Sequence, residues 1–100
     1  MPPFQAVLLD VRATQEWNAG HAPGALHLPL PRLMAGAPWP AAVRGRRVVA
    51  ICRFGNRSRT AADLLTATGV EATDVAEGMT AWARQGLPVT GVNGGGGVIA

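Results

Sequence analysis

The stretch RVVAIC, residues 47–52, constrains the fold more than any other. After its arginine it is apolar throughout, rich in β-branched residues, and has no glycine or proline to break it. A run with no polar alternation is buried on both faces, which predicts a strand at the centre of a parallel sheet. AVLLDV (6–11) has the same character, with an acid, Asp10, at its end before Val11. ALHLPL (25–30) and ATDVAE (72–77) are shorter candidates of the same kind.

Helical segments separate these runs. ATQEWNAG (13–20) predicts a short helix stopped by Gly20, followed by a turn at HAPGA (21–25) with Pro23 and Gly24 in turn positions. RSRTAADLLTATG (57–69) places Ala61, Leu64, Leu65 and Thr68 at helical spacing, with Gly69 as the stop. GMTAWARQG (78–86) predicts a helix with Trp82 turned inward, and LPV (87–89) an exit segment. Residues 31–44 are proline-rich and predict irregular chain with helical turns near Leu33 and Ala42. Strands alternating with helices define an α/β class, a mostly parallel sheet covered on both faces. Residues 1–90 form one expected domain, and 91–100, with four consecutive glycines, an expected flexible tail.

With 100 residues there is room for one compact domain and a modest core. All nine basic residues are arginine and the net charge is +3. Aromatic residues make up only 5 %, too few for the stacking surface that accompanies a basic stripe on nucleic-acid binders, so nucleic acid is not an expected partner. The cluster Arg53, Arg57 and Arg59 suits small anions better. A single cysteine excludes an intramolecular disulfide and a cysteine-based zinc cluster. No basic segment followed by a long apolar stretch opens the chain, and no run has the length of a membrane span. A monomer in the cytoplasm, where a free thiol stays reduced, with no membrane partner, is the expectation.

That cysteine, Cys52, ends the clearest strand. Sites in open α/β sheets form beyond the carboxyl ends of strands, and CRFGNRS leads from such an end straight into a helix start. Helix starts carry unpaired amides and the positive end of the dipole, and Gly55 lets the loop curl so that its amides point inward around an anion. Arg53 and Arg57 either add full charges or point outward and anchor the loop. Surroundings of this kind lower a thiol from about 8.5 into the range of about 3.5–7.5 and make it a nucleophile toward an anionic electrophile. The competing account is a small buried hydrophobe that merely ends a strand.

LLDVRATQEWNAGHAPGALHLPL, CRFGNRS, EGMTAW and GLPV, in this order and spacing, resemble the rhodanese (sulfurtransferase) family over about residues 5 to 90. The resemblance implies a three-layer α/β sandwich with a mostly parallel, five-stranded sheet and helices on both faces. It implies that Cys52 carries sulfane sulfur as a persulfide, cradled by the amides of Arg53, Phe54, Gly55, Asn56 and Arg57, with Ser58 closing the motif. It further implies that Arg57 closes the loop and helps bind an anionic donor while Arg53 lines the mouth. The charged loop looks more like that of thiosulfate users than of mercaptopyruvate users. Arg12 and Glu16 resemble a structural ion pair, Asp10 a structural acid, and His21 an architectural hydrogen-bonder rather than a proton shuttle. Implied partners are a small anionic sulfur donor and a cyanide or thiol acceptor, with a thiol-bearing protein among the candidates. No metal or organic cofactor is implied.

The sequence departs from the family's pattern at Met79, where the family often has a second glycine, so the rim of the pocket is an expected point of difference. Related phosphatases place more residues between their cysteine and arginine than the four here, Arg53, Phe54, Gly55 and Asn56. A tighter loop suits a single sulfur atom better than a phosphate. A non-enzymatic binding module is the other alternative, and the retained cysteine weighs against it. Trp17 and Trp82 are expected in the core, and Trp39, between prolines, over an edge.

Overall fold

The apolar runs do become the middle of the sheet. In a computed structural model describing residues 6–36, 43, 45–91 and 96–99, the elements follow in the order β1 (Val7–Asp10), α1 (Thr14–Ala19), β2 (Leu26–His27), α2 (Leu30–Met34), β3 (Val48–Ile51), α3 (Asn56–Ala67), β4 (Ala72–Asp74) and α4 (Gly78–Arg84). The strand order is β2-β1-β3-β4, and every pairing is parallel. β1 and β3 pair along their whole length, from Val7 opposite Val48 to Asp10 opposite Ile51.

Alternate residues of the central strands serve opposite faces, as the two-residue period of a strand requires. Val7, Leu9, Val11, Val48, Ala50 and Cys52 share a core with Leu30 and Leu33 of α2 and Ala61 and Leu65 of α3. Ile51 and Leu8 face the other way, against Met79 and Trp82 of α4, with Ala22 and Val89. Helices therefore cover both faces. Each of the buried Leu and Val side chains contributes about 1.5–3 kcal/mol relative to exposure.

The sheet has four strands among the described residues, where five are expected. The exit segment supplies only single antiparallel bridges, His21 with Thr90 and Thr90 with Gly96, too short to count as a strand. β2 is also shorter than its apolar run. Pro29 has no amide to continue the ladder and becomes the cap of α2, which has Pro31 in its first turn, where the missing N–H costs least. The buried face of α3 is Ser58, Ala61, Ala62 and Leu65, while Leu64 is 38 % exposed and Thr68 is exposed too.

Within the expected tail, residues 96–99 lie against the domain. The Gly97 amide donates to the Val89 carbonyl at 3.0 Å, the Val98 amide to the Ala19 carbonyl at 2.9 Å, and Ile99 joins the α4-side core. Glycines bring no side chain to such a contact, but a backbone hydrogen bond needs none. Ala42 and Trp39 lie outside the described residues. No described helix is long and apolar enough to cross a membrane.

Candidate active site

The chain leaves β1 toward β2 on one side and returns as β3 on the other. The crevice at the carboxyl ends of β1 and β3 is thus the topological switch point of the sheet, where open α/β folds place their sites. Cys52 follows β3 into this crevice. Asp10, Arg12 and α1 follow β1 into it from the opposite side.

Cys52 is 1 % exposed. Its Sγ accepts the Gly55 amide at 3.0 Å and lies 3.4 Å from Ser58 Oγ, whose hydroxyl donates to the Gly55 carbonyl at 3.1 Å. The thiol S–H donates to Ser58 Oγ in that arrangement. Once the thiol ionises, the hydroxyl has only to rotate to donate to sulfur instead. Burial pushes the thiol up. The Ser58 hydroxyl and the amides of Ser58, Gly55 and Phe54 together outweigh it, and the net result lies below the ordinary thiol value.

Two glycines make this curl sterically feasible. Gly55 caps α3 with φ +106°, and a Cβ there would collide with the Ala76 carbonyl oxygen. Gly78 begins α4 with φ +58°, and a Cβ there would collide with the Cys52 carbonyl oxygen. That approach lets the first amides of α4 take the loop's carbonyls: Met79 donates to Cys52 at 2.7 Å and Thr80 to Arg53 at 3.1 Å. With its carbonyls turned to α4, the loop is free to turn its next amides toward sulfur. The Met79 side chain is fully buried in the α4-side core. At the loop itself Met79 makes its contact through its backbone amide.

The expected Arg12–Glu16 pair does not form. Arg12 and Asp10 are both fully buried and pair with each other: Nε donates to Oδ1 at 2.9 Å and to Oδ2 at 3.1 Å, and Nη2 to Oδ2 at 2.8 Å. Arg12 Nη2 also donates to the Gly20 carbonyl at 2.6 Å, tying the end of β1 to the end of α1. Asp10 lies at the strand end, within the same tight bend as Arg12. Glu16 instead lies part-buried on α1 and reaches across the crevice. Arg57 donates to it twice, Nη1 to Oε1 at 2.5 Å and Nη2 to Oε2 at 2.8 Å. Glu16 Oε1 also accepts the Ala13 amide at 3.0 Å, closing the start of α1. The hydrogen bond from Arg57 is the main cause holding the Glu16 carboxyl below its usual range, against the opposing effect of burial. Arg57 is raised in turn, chiefly by Glu16 and also by the field of Cys52.

Arg53 has no carboxylate partner among the described residues, and its guanidinium lies 4.9 Å from the ring centre of Phe54. Phe54 is 59 % exposed, and Asn56, the first residue of α3, is exposed as well. His21 Nδ1–H donates to the Trp17 carbonyl at 2.8 Å, and its ring stacks on Trp17 at 3.6 Å. His27 also stacks on Trp17, at 4.7 Å, and Nε2–H donates to the Arg12 carbonyl at 2.8 Å. Trp17 and His21 are spaced i,i+4 at the end of α1, a local pairing, whereas His27 joins the stack from β2. Among the described residues no His, Cys, Asp and Glu side chains gather as a metal site.

Parallel α/β layers with a buried, amide-bonded thiol at the switch point define a class of small domains. A family profile described as Rhodanese-like domain matches residues 3–85, and the chain belongs to that family. It is 36 % identical over 92 residues, 88 % of this chain and 81 % of the other, to a protein of Allochromatium vinosum named sulfurtransferase. It is 32 % identical over 78 residues to the adenylyltransferase and sulfurtransferase UBA4 of Yarrowia lipolytica, covering 78 % of this chain but only 20 % of that protein. A crystal structure of a rhodanese-related protein from Thermoplasma volcanium superposes with a TM-score of 0.76 at 30 % identity, over 85 % of this chain and 83 % of that one.

Proposed function

We propose that this chain is a sulfurtransferase that carries sulfane sulfur on Cys52, taking it from an anionic donor such as thiosulfate and passing it to cyanide or a thiol. The observation that carries this reading is the surroundings of one sulfur: the Gly55 amide donates to it at 3.0 Å, backed by the amides of Phe54 and Ser58, and the Ser58 hydroxyl lies 3.4 Å away, able to turn and donate once the thiol ionises. The amides, fixed before the reaction, stabilise negative charge on sulfur without reorganising. The sulfurtransferase name of the Allochromatium vinosum relative, matched over most of its length, supports the same reading.

The Cys52 thiolate attacks the outer sulfur of thiosulfate. The new S–S bond forms as the old one breaks, and its electron pair leaves on sulfite. The product is a Cys52 persulfide, whose outer sulfur carries the negative charge. The acceptor then attacks that outer sulfur, leaving as thiocyanate or as a new persulfide, and the electron pair returns to Cys52 as thiolate. This is a substituted-enzyme scheme with parallel initial-rate plots. Treating the protein briefly with thiosulfate and weighing it intact tests it. A gain of one sulfur atom is expected in the wild type and none in Cys52→Ala. No gain in the wild type with any sulfane donor would favour a binding module instead.

A further inference from the structure

The end of α1 is held by groups that come from elsewhere in the chain. A helix of six residues does not persist on its own, and its last carbonyls have no partner within it. The Trp17 carbonyl accepts His21 Nδ1–H, the Gly20 carbonyl accepts Arg12 Nη2, and the Ala19 carbonyl accepts the Val98 amide at 2.9 Å. Val98 belongs to a short segment, residues 96–99, laid against the domain. Thr90 exchanges amide and carbonyl with His21, Gly96 bridges Thr90 in turn, and the Gly97 amide donates to the Val89 carbonyl at 3.0 Å. Ile99 packs against the cluster of Ala22, Ile51 and Met79. Ile51 immediately precedes Cys52, and the Met79 amide holds the Cys52 carbonyl.

The fit is backbone to backbone. Gly20 has φ 175°, an extended conformation open to any residue, yet a Cβ there would collide with the Val98 carbonyl oxygen and lie 2.7 Å from the Val98 nitrogen. A Cβ on Gly97 would lie 2.8 Å from Gly20 Cα and 2.9 Å from the Ala19 carbonyl oxygen. The contact itself therefore requires both glycines. A Cβ on Gly96, by contrast, would meet open space.

We infer that residues 96–99 are a strap whose docking on Gly20 braces the thiol loop through the α4-side core, so that a segment outside the site sets the reactivity of Cys52. The strap fixes the end of α1, where Gly20 is tied to Arg12. Through Ile99 it also backs the core from which Met79 draws the Cys52 carbonyl aside. That draw leaves the next amides for sulfur. With the strap off, Ile99 leaves the cluster, the hold on the carbonyl relaxes, and the loop amides converge less well. Gly20, Gly97 and Val98 are thus positioning residues that act through Met79. Arg57, which feels the field of Cys52, lies on α3 and takes no part in the contact. The inference concerns the thiol itself and is independent of which donor supplies the sulfur.

The experiment reads strap and thiol separately in the full chain. Amide hydrogen exchange at Gly97 and Val98 reports docking. The pH midpoint of alkylation by iodoacetamide reports the loop, since Cys52 is the only cysteine. Gly20→Ala and Gly97→Ala attack one contact from its two sides. Each should abolish protection of the Val98 amide and raise the midpoint by about 0.5–1 pH unit, the weight of one weakened hydrogen bond to sulfur. The double variant should match the single ones, because the shared contact is lost only once. Gly96→Ala should change neither reading. Where thermal melts show that a glycine variant has not folded, Val98→Pro serves instead: it deletes the bond to Ala19 from an exposed position and should move the midpoint the same way. An unmoved midpoint in a variant whose strap is undocked overturns the inference. So does a shift with Val98 still protected, a pair of shifts that add in the double variant, or a wild-type Val98 amide that exchanges as fast as open chain. Failure of the sulfur-transfer reading looks different: no mass gain from any sulfane donor, with strap and midpoint still coupled.

Discussion

The amide of Met79 donates to the carbonyl of Cys52 at 2.7 Å, so the first turn of α4 holds the backbone of the nucleophile itself. The contact exists because Gly78, at φ +58°, lets two backbones meet where a Cβ would strike the Cys52 carbonyl. α4 is short, and only its last two residues, Ala83 and Arg84, are exposed. Its part in the site is to draw the carbonyls of Cys52 and Arg53 to one side, leaving the following amides for sulfur.

Gly78→Ala should therefore damage the site from outside the loop. The substitution adds a left-handed alanine and a backbone collision, and the expected cost is about 1–3 kcal/mol of stability. Urea unfolding measures that cost. Alkylation of Cys52 in the folded variant should also slow at neutral pH, because the loop amides no longer converge. A variant with wild-type stability and reactivity would show that the α4 contact is incidental.

Ser58→Ala isolates the hydroxyl. Its rotation toward sulfur stabilises the ionised form, so its loss should raise the thiol. A hydrogen bond to a charged group is worth about 1.5–3 kcal/mol, which corresponds to an upward move of about one to two pH units in the alkylation midpoint. The amides of Gly55, Phe54 and Ser58 remain, so the midpoint should still not exceed that of an apolar buried thiol.

Asp10→Asn removes one partner of a fully buried ion pair. The Arg12 cation would keep its Gly20 hydrogen bond but lose its counter-charge. Breaking such a pair costs about 3–5 kcal/mol, a large share of what a domain of this size has. Urea unfolding of Asp10→Asn beside the double variant Asp10→Asn/Arg12→Met checks the cause. The double variant should recover stability, since the stranded charge is gone.

Acid should weaken the clasp between α1 and α3. Glu16 is lower in the folded protein than its ordinary value of 4.5, so its contribution to stability is present above that value and is lost as pH falls through the lowered one. Cys52 obeys the same sign at higher pH. Its folded value lies below 9.0, so the stabilisation it adds relative to Cys52→Ala should grow as pH rises toward that value. Denaturation of wild type, Glu16→Gln and Cys52→Ala across pH separates the two effects, the wild type beside Cys52→Ala reporting the thiol. A difference that shrinks with rising pH would contradict the sign of the thiol shift.

What the sequence discloses here is what its physics keeps local. Cys52, Gly55 and Ser58 lie within one loop and one helical turn, and strand end, glycine curl and helix start are all visible in CRFGNRS. The parallel sheet follows from β-branched runs with no polar alternation. Charge pairing is a different matter, because several partners compete. Arg12 is equally plausible beside Asp10 or Glu16 until the bend after β1 brings Asp10 onto it and α1 carries Glu16 across to Arg57. Helix phase is similarly ambiguous at its edges, and Ser58 and Ala62, not Leu64, complete the buried stripe of α3. The α4 contact leaves no side-chain trace beyond Gly78, as backbone amides are common to every residue.

The most direct test of the whole account is the pH dependence of Cys52 alkylation in the wild-type protein, followed by intact mass. The loop geometry predicts a midpoint below the ordinary thiol value. A midpoint at or above that value would mean that the amides and the Ser58 hydroxyl do not hold the sulfur ionised, and the account would fail.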